Sequence, residues 1–284
     1  MELPNEWIAL LALVFVLGAK HGLDADHLAT IDGLTRHNLR IAPARARWCG
    51  SLFSLGHGAI VMLLAVAFCQ TANAHEYWIE KTGNRFLLQQ GHKTAAHAGE
   101  ARIAFDPAIV TQTLCTARNR STLVLQAKGS PPGVDADCAQ ISFRLSSGYW
   151  TKTPYDTINK PRTEVKGALQ SWLSQENVTR IEHWLPAMTK PTGVGLFIAL
   201  TADPAALKPG DKFSVRVLLE GKPVPEVAVA YDGETRGATD AEGRINLRVR
   251  HGGLQQVSAS LETPLNDGKA DTLIRGATLN FVLP

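Results

Sequence analysis

The sequence predicts a mixed architecture: an N-terminal transmembrane helical hairpin followed by exported all-β, immunoglobulin-like sandwich domains. Three observations point there. Charge is unevenly spread, with only five basic and five acidic residues in the first 74 of 284. The two long apolar runs, Trp7–Gly18 and Ser51–Ala72, both fall in that front segment. From Phe86 onward, short alternating stretches are separated by Gly, Pro and Asp turns, the pattern of sandwich strands. The expected domains are 1–74, 75–195 and 196–284.

Composition narrows the function classes. A hydrophobic content of 45% and a charged content of 19% exclude a disordered or collagen-like chain. A net charge of +3, with no Lys/Arg run longer than a pair, excludes a dedicated nucleic-acid binder.

Trp7–Gly18 alone is short of the roughly 20 residues that a span needs. It can continue helically towards Leu34, but through Lys20, His21, Asp24, Asp26, His27 and Asp32. Ionisable groups at membrane depth are kept where they pair, line a polar cavity or bind an ion. Ser51–Ala72 is long enough to span and carries one ionisable group, His57. Between the two runs lie Arg36, Arg40, Arg45 and Arg47, which place that loop in the cytoplasm. Residues 75–284 then face the periplasm from the inner membrane. The second run also reads as a secretory signal: Val61–Phe68 is an apolar core and Thr71-Ala-Asn-Ala74 a cleavage site. Cleavage after Ala74 leaves His75 as the new N-terminus. Both readings, anchor and cleaved signal, stay open, and both export the C-terminal part.

His21-Gly-Leu-Asp24-Ala-Asp26-His27 is the sharpest motif. On a helix, His21, Asp24 and His27 share one face, and Asp26 lies about 100° from His27. Imidazoles with carboxylates suit Ni, Co or Zn better than Ca or Mg. The pattern H-x4-D-H, extended as HGLDADHLATIDGLTRHN, resembles the signature helix of the NiCoT nickel/cobalt permeases. Leu52-Phe-Ser-Leu-Gly56-His57-Gly resembles that family's next signature. The resemblance covers about the first 65 residues. It implies His21, Asp24, Asp26, His27 and His57 as metal-ligating or selectivity residues, and Ni2+ or Co2+ as the bound or transported ion. Two helices cannot enclose a translocation path, so the implied partners are the membrane and other nickel/cobalt transporter subunits.

Further along, Arg85–Leu88, Ala101–Ala104, Thr122–Ala127 and Gln140–Leu145 read as strands, and Val165–Gln175 as a short helix around Trp172. A boundary is expected at Lys190-Pro-Thr-Gly-Val-Gly. Beyond it, turns at 207–211, 221–225 and 239–243 separate alternating runs on Phe213/Val215/Val217, Val227/Val229/Tyr231 and Ile245/Leu247/Val249. This tail is expected to be an immunoglobulin-like or prealbumin-like sandwich. Cys49 and Cys69 read as small apolar residues. Cys115 and Cys138 are the exported pair, and an oxidising compartment favours their disulfide. The loop it closes is worth roughly 3 kcal/mol.

His75 opens Ala74-His75-Glu-Tyr-Trp-Ile-Glu80, followed by His92 and His97. If His75 becomes the N-terminus, its amine and imidazole can chelate one ion, completed by His92 or His97. His37, His183 and His251 are isolated and read as non-ligands. The AHEYWIE segment, Gly91-His92, residues 146–172 and the PGD…GKPV…TDAEG tail resemble exported proteins associated with nickel uptake, over roughly 74–284. No G-x-S-x-G, H-E-x-x-H, P-loop or G-x-G-x-x-G motif is present, and the sequence predicts no enzyme. The expected function is a membrane-anchored, periplasm-facing protein that captures Ni2+ and passes it to a permease. The alternatives are an adhesion or carbohydrate-type β-module, and a copper-binding protein, each with a vestigial transporter fragment.

Overall fold

The structure, a computed structural model, describes residues 25–55, 76–91, 102–191 and 193–283. It divides into two compact units, Met1–Ala74 and His75–Pro284. In the first, helix α1 (Ala25–Ile41) carries Asp26 in its first turn and Arg40 in its last, each complementing the helix dipole. A short helix α2 (Pro43–Ala46) leads to helical residues 49–55. His27 lies edge-on to Phe53 at 5.8 Å. A Cβ on Gly50 would stand 3.6 Å from Ile31 Cγ2. The Cys49 thiol donates to the Leu34 carbonyl at 3.7 Å. Ascending positions on α1 thus meet descending positions on the partner, so the two segments pack antiparallel. The expected spans, Trp7–Gly18 and most of Ser51–Ala72, lie outside the described residues. Among those described, no helix is long and apolar enough to cross a membrane.

Among its described residues, the second unit has sixteen strands. In chain order they are β1 (Glu76–Thr82), β2 (Arg85–Gly91), β3 (Val110–Thr116), β4 (Thr122–Leu125), β5 (Gly133–Asp135), β6 (Gln140–Lys152), β7 (Thr157–Ile158) and β8 (Gln170–Ile181). They continue as β9 (Leu196–Leu200), β10 (Lys212–Leu219), β11 (Lys222–Pro223), β12 (Ala228–Tyr231), β13 (Glu234–Ala238), β14 (Arg244–Arg248), β15 (Gly253–Pro264) and β16 (Thr272–Leu283). A nine-stranded sheet runs β13-β12-β15-β16-β8-β6-β3-β4, with β7 added on β6. A three-stranded sheet (β1-β2-β5) and a four-stranded sheet (β9, β10, β11, β14) complete the unit.

Strand alternation sends neighbouring side chains of the large sheet to opposite faces, and each face has its own core. Ile141, Phe143, Leu145 and Val178 close against Ile79, Phe86, Leu88 and Val134 of the three-stranded sheet. Ile181, Ala277, Leu279 and Phe281 close against Ile198, Leu200, Val215 and Val217 of the four-stranded sheet. Each fully buried large apolar side chain contributes roughly 1.5–3 kcal/mol. The result is a β-sandwich unit with the large sheet in the middle.

The two cores divide between residues 178 and 181, ahead of the boundary expected at 190–198. The buried residues of one come from 79–178 and those of the other, Ala139 apart, from 181–283. The backbone runs across that division. β8 pairs with β16 in parallel, from Trp172↔Thr272 to Ile181↔Phe281, and every other strand pairing among the described residues is antiparallel. Cys115 and Cys138 form a disulfide with Cα atoms 5.4 Å apart, inside the first core.

Two local expectations are corrected. The segment around Trp172 is strand β8, not a short helix. Trp172 sits between Trp150 of β6 and Thr272 of β16, and a helix would leave both ladders unpaired. Within 102–104, no strand forms, and Arg102 contributes an isolated bridge to Gly91. The turns at 207–211, 221–225 and 239–243 stand. In the last, Gly243 has φ +68° and a Cβ there would lie 2.7 Å from the Val217 carbonyl oxygen.

Strand β1 is fastened to the middle sheet by side chains. The Ile79 N–H donates to Asn280 Oδ1 at 2.9 Å, and Arg180 Nη1 donates to the Ile79 carbonyl at 2.8 Å. Lys81 pairs with Glu182 at 2.7 Å. Asn280 is fully buried. Asn280→Leu strands a buried N–H and should destabilise the unit by about 2 kcal/mol. Urea unfolding of variant and wild type measures this, and coincident curves would show that the bond contributes nothing.

Candidate functional site

Most sequence-predicted ligands, His21, Asp24, His57, His75, His92 and His97, lie outside the described residues. Asp26 and His27 occupy the first turn of α1, where Asp26 is exposed and His27 is half-buried beside Phe53. Being consecutive, they point about 100° apart. Among the described residues, no three or more His, Cys, Asp or Glu side chains gather at metal-binding range. The three histidines read as non-ligands are accounted for locally. His37 is exposed on α1. His183 contacts the Arg118 guanidinium. His251 bonds Asp232 at 3.0 Å and the Gly252 carbonyl at 2.6 Å.

The described polar cluster closest in sequence to His75 lies where β1 begins. Glu76 Oε2 accepts from Gln256 Nε2 at 2.7 Å. Gly233, at φ +76°, makes room for Glu76, because a Cβ there would lie 3.2 Å from Glu76 Oε1. On the same face of the middle sheet, Glu176 Oε1 accepts from the Thr278 hydroxyl at 3.0 Å. Gly276 leaves space for it, since a Cβ there would stand 3.0 Å from Glu176 Cγ. Tyr77 stacks edge-on against Phe105 at 5.6 Å. Gln256 is 1% exposed, and its Oε1 is buried with no donor among the described residues.

These groups are mostly acceptors, and their ionisation shows it. Burial pushes the Glu176 carboxyl up, the Thr278 hydroxyl partly offsets this, and the Glu76 charge adds to the rise, leaving it at about 7. Burial and then the Glu176 charge push the Tyr77 hydroxyl to about 12. The start of β1 is therefore a place where negative charge is costly, first through burial and then through the neighbouring carboxylates. Sequence reasoning singled out the AHEYWIE segment, which holds Glu76 and Tyr77. It missed Glu176, Gln256 and Thr278. Their only signal is polarity at inward strand positions, which is visible once the pairing is known.

Fold and sequence together define a β-sandwich protein preceded by a helical segment. The chain belongs to the family described as Domain of unknown function (DUF4198), whose family model matches residues 72–263. The family model of the High-affinity nickel-transport protein (NicO) matches residues 7–114, in agreement with the NiCoT resemblance of the first 65 residues. The chain is similar to a cobalt transport protein, NhlF, of Rhodococcus rhodochrous, 40% identical over 62 residues covering 22% of this chain and 17% of that one. It is similar to the high-affinity nickel-transport protein NixA of Helicobacter pylori, 37% identical over 78 residues, 26% of this chain and 23% of that one. A high-affinity nickel transport protein of Cryptococcus neoformans is 36% identical over 69 residues, 24% of this chain and 14% of that one. The chain thus spans less than a quarter of the length of these relatives. Among solved structures, the fibronectin(III)-like modules of Clostridium thermocellum CbhA align over 73% of this chain and 95% of theirs, at 11% identity and a TM-score of 0.20.

The raised carboxyl sets a pH dependence. Unfolded, Glu176 loses its proton near its ordinary 4.5, and folded, at about 7. Between these values the folded state holds the extra proton, so stability falls as pH rises from about 4.5 to about 7 and is level above. The fall attributable to Glu176 is on the order of a few kcal/mol. Unfolding followed by tryptophan fluorescence at pH 5 and 7.5 should show wild type losing more stability than Glu176→Gln over that interval. Equal losses would contradict the assignment.

Proposed function

We propose that the chain is a nickel (or cobalt) uptake component, anchored in the inner membrane, whose β unit faces the periplasm, captures the ion and passes it to a permease. The observation that carries the reading is the nickel-transport family match over residues 7–114, which includes His21-Gly-Leu-Asp-Ala-Asp-His27. In the front segment, His21, Asp24, Asp26, His27 and His57 hold the divalent ion. An unpaired Asp at mid-bilayer costs roughly 2.5 kcal/mol or more, and a 2+ ion reverses that balance. The packing of α1 on residues 49–55 supports this. Asp24 lies three residues before His27 in sequence, and His57 four residues after Phe53, its ring partner.

In the β unit, His75, His92 and His97 are the capture residues. Their neutral imidazoles suit Ni2+ and Co2+. Residue 75 directly precedes Glu76, and the Glu76 and Glu176 carboxylates favour a cation arriving there. Cleavage after Ala74 adds an α-amine to the His75 imidazole, whereas without cleavage the imidazole acts alone and the β unit stays tethered. The ion is cargo throughout. Transfer across the membrane falls to partner transporter subunits.

Equilibrium nickel titration of the purified full chain tests the reading. His27→Ala and His75→Ala should each weaken their site about tenfold or more, and His37→Ala should change nothing. Nickel binding that is absent from wild type, or unchanged in both variants, would overturn it. Parallel titration with Cu2+ and mass spectrometry of the mature N-terminus separate the copper-binding alternative, which needs His75 to be terminal.

A further inference from the structure

A cavity of about 370 Å³ opens on the face of the middle sheet opposite the Glu176 carboxylate. Its floor is Arg144 on β6, Gln175 and Asn177 on β8, and Arg275 on β16. Residues 194–196 form a wall. Register fixes these positions: Arg144 pairs with Asn177, and Arg275 with Gln175. Glu176 also contributes to the lining, but its side chain leaves by the other face to bond Thr278.

The wall and one guanidinium are held by Asn177. Its Nδ2 donates to the Leu196 carbonyl at 2.9 Å and to the Val194 carbonyl at 3.3 Å, and its Oδ1 accepts from Arg144 Nε at 3.4 Å. Gly195, at φ +101°, is required there, because a Cβ would lie 2.7 Å from Asn177 Nδ2. Arg275 Nη1 donates to the Thr263 hydroxyl at 2.8 Å. Both arginines are half-buried, and neither has a carboxylate within ion-pair distance among the described residues. Each keeps N–H groups unused. Two part-desolvated guanidiniums facing one cavity without a counter-charge are unfavourable, and an anion between them removes the cost.

Arg144 Nε is held at Asn177 on β8 and Arg275 Nη1 at Thr263 on β15, two strand spacings away, so the guanidiniums stand on the order of 10 Å apart across the sheet. One small oxyanion cannot reach both forks. Two carboxylates on one short carbon chain can, with the Gln175 amide between them. We propose that this cavity binds a small organic dicarboxylate, one carboxylate on Arg144 and the other on Arg275.

The test is calorimetric titration of the purified full chain in a buffer free of divalent ions, which makes it independent of the metal reading. The probes are glutarate, succinate, acetate and inorganic phosphate. A dicarboxylate should bind at least about tenfold more tightly than acetate or phosphate. Arg144→Gln and Arg275→Gln should each lower that affinity about tenfold or more, and Arg275→Lys, which keeps the charge without the fork, should fall between. Thermal melts of each variant confirm that it is folded, and Arg275→Gln, whose side chain braces no wall, carries the conclusion if Arg144→Gln does not fold. Failure of every probe to bind, phosphate binding as tightly as the dicarboxylates, or affinity unchanged in Arg275→Gln would each overturn the proposal.

Discussion

The parallel ladder between β8 and β16 is the constraint on which the rest of the β unit depends. It joins residues 172–181 to residues 272–281, a hundred positions apart, and it is where the two halves of the unit share a sheet. A slip of one residue would exchange the faces of every side chain on the slipped strand. Val178 would leave its core, and Asn177 and Thr179 would enter it. On β16, Leu279 and Phe281 would trade places with Thr278 and Asn280. The pattern of buried apolar residues on both strands therefore excludes any odd-numbered slip.

That register also places the chemistry. Period two puts Glu176 on the same face as Val178, beneath the start of β1, where burial and Glu76 hold its carboxyl near neutrality. The same period sends Gln175, Asn177 and Arg275 to the other face, where they floor the cavity with Arg144. The polar residues that fasten β1, Asn280 and Arg180, belong to the Glu176 face. One ladder thus organises an acceptor-rich patch on one side and a guanidinium-lined cavity on the other.

Much of this was legible in the sequence where structure is local. The alternation through Phe213–Val217 and Ile245–Val249 gave strands β10 and β14, and the turns between them needed Gly at positive φ. Cys115 and Cys138 were the pair available for a bond. What was not legible depends on distant partners. Trp172 looks helical in its own neighbourhood and is a strand because two ladders claim it. Glu176 looks like a surface residue until Thr278 and Tyr77 are brought to it. The cores divide between residues 178 and 181, and the sheet does not divide there. No local pattern distinguishes two separate sandwiches from two cores on one sheet.

Two family models match this chain in overlapping stretches. The nickel-transport match covers residues 7–114 and the DUF4198 match covers residues 72–263. The two matches overlap over residues 72–114, and His75, His92 and His97 fall within that stretch of sequence. The most direct measurement is nickel-63 accumulation at limiting nickel in cells that express one nickel permease, with and without this chain. The account predicts that the chain raises accumulation and that replacing His75, His92 and His97 together removes the gain. Equal accumulation with and without the chain, in cells shown to contain it, would contradict a role in nickel uptake.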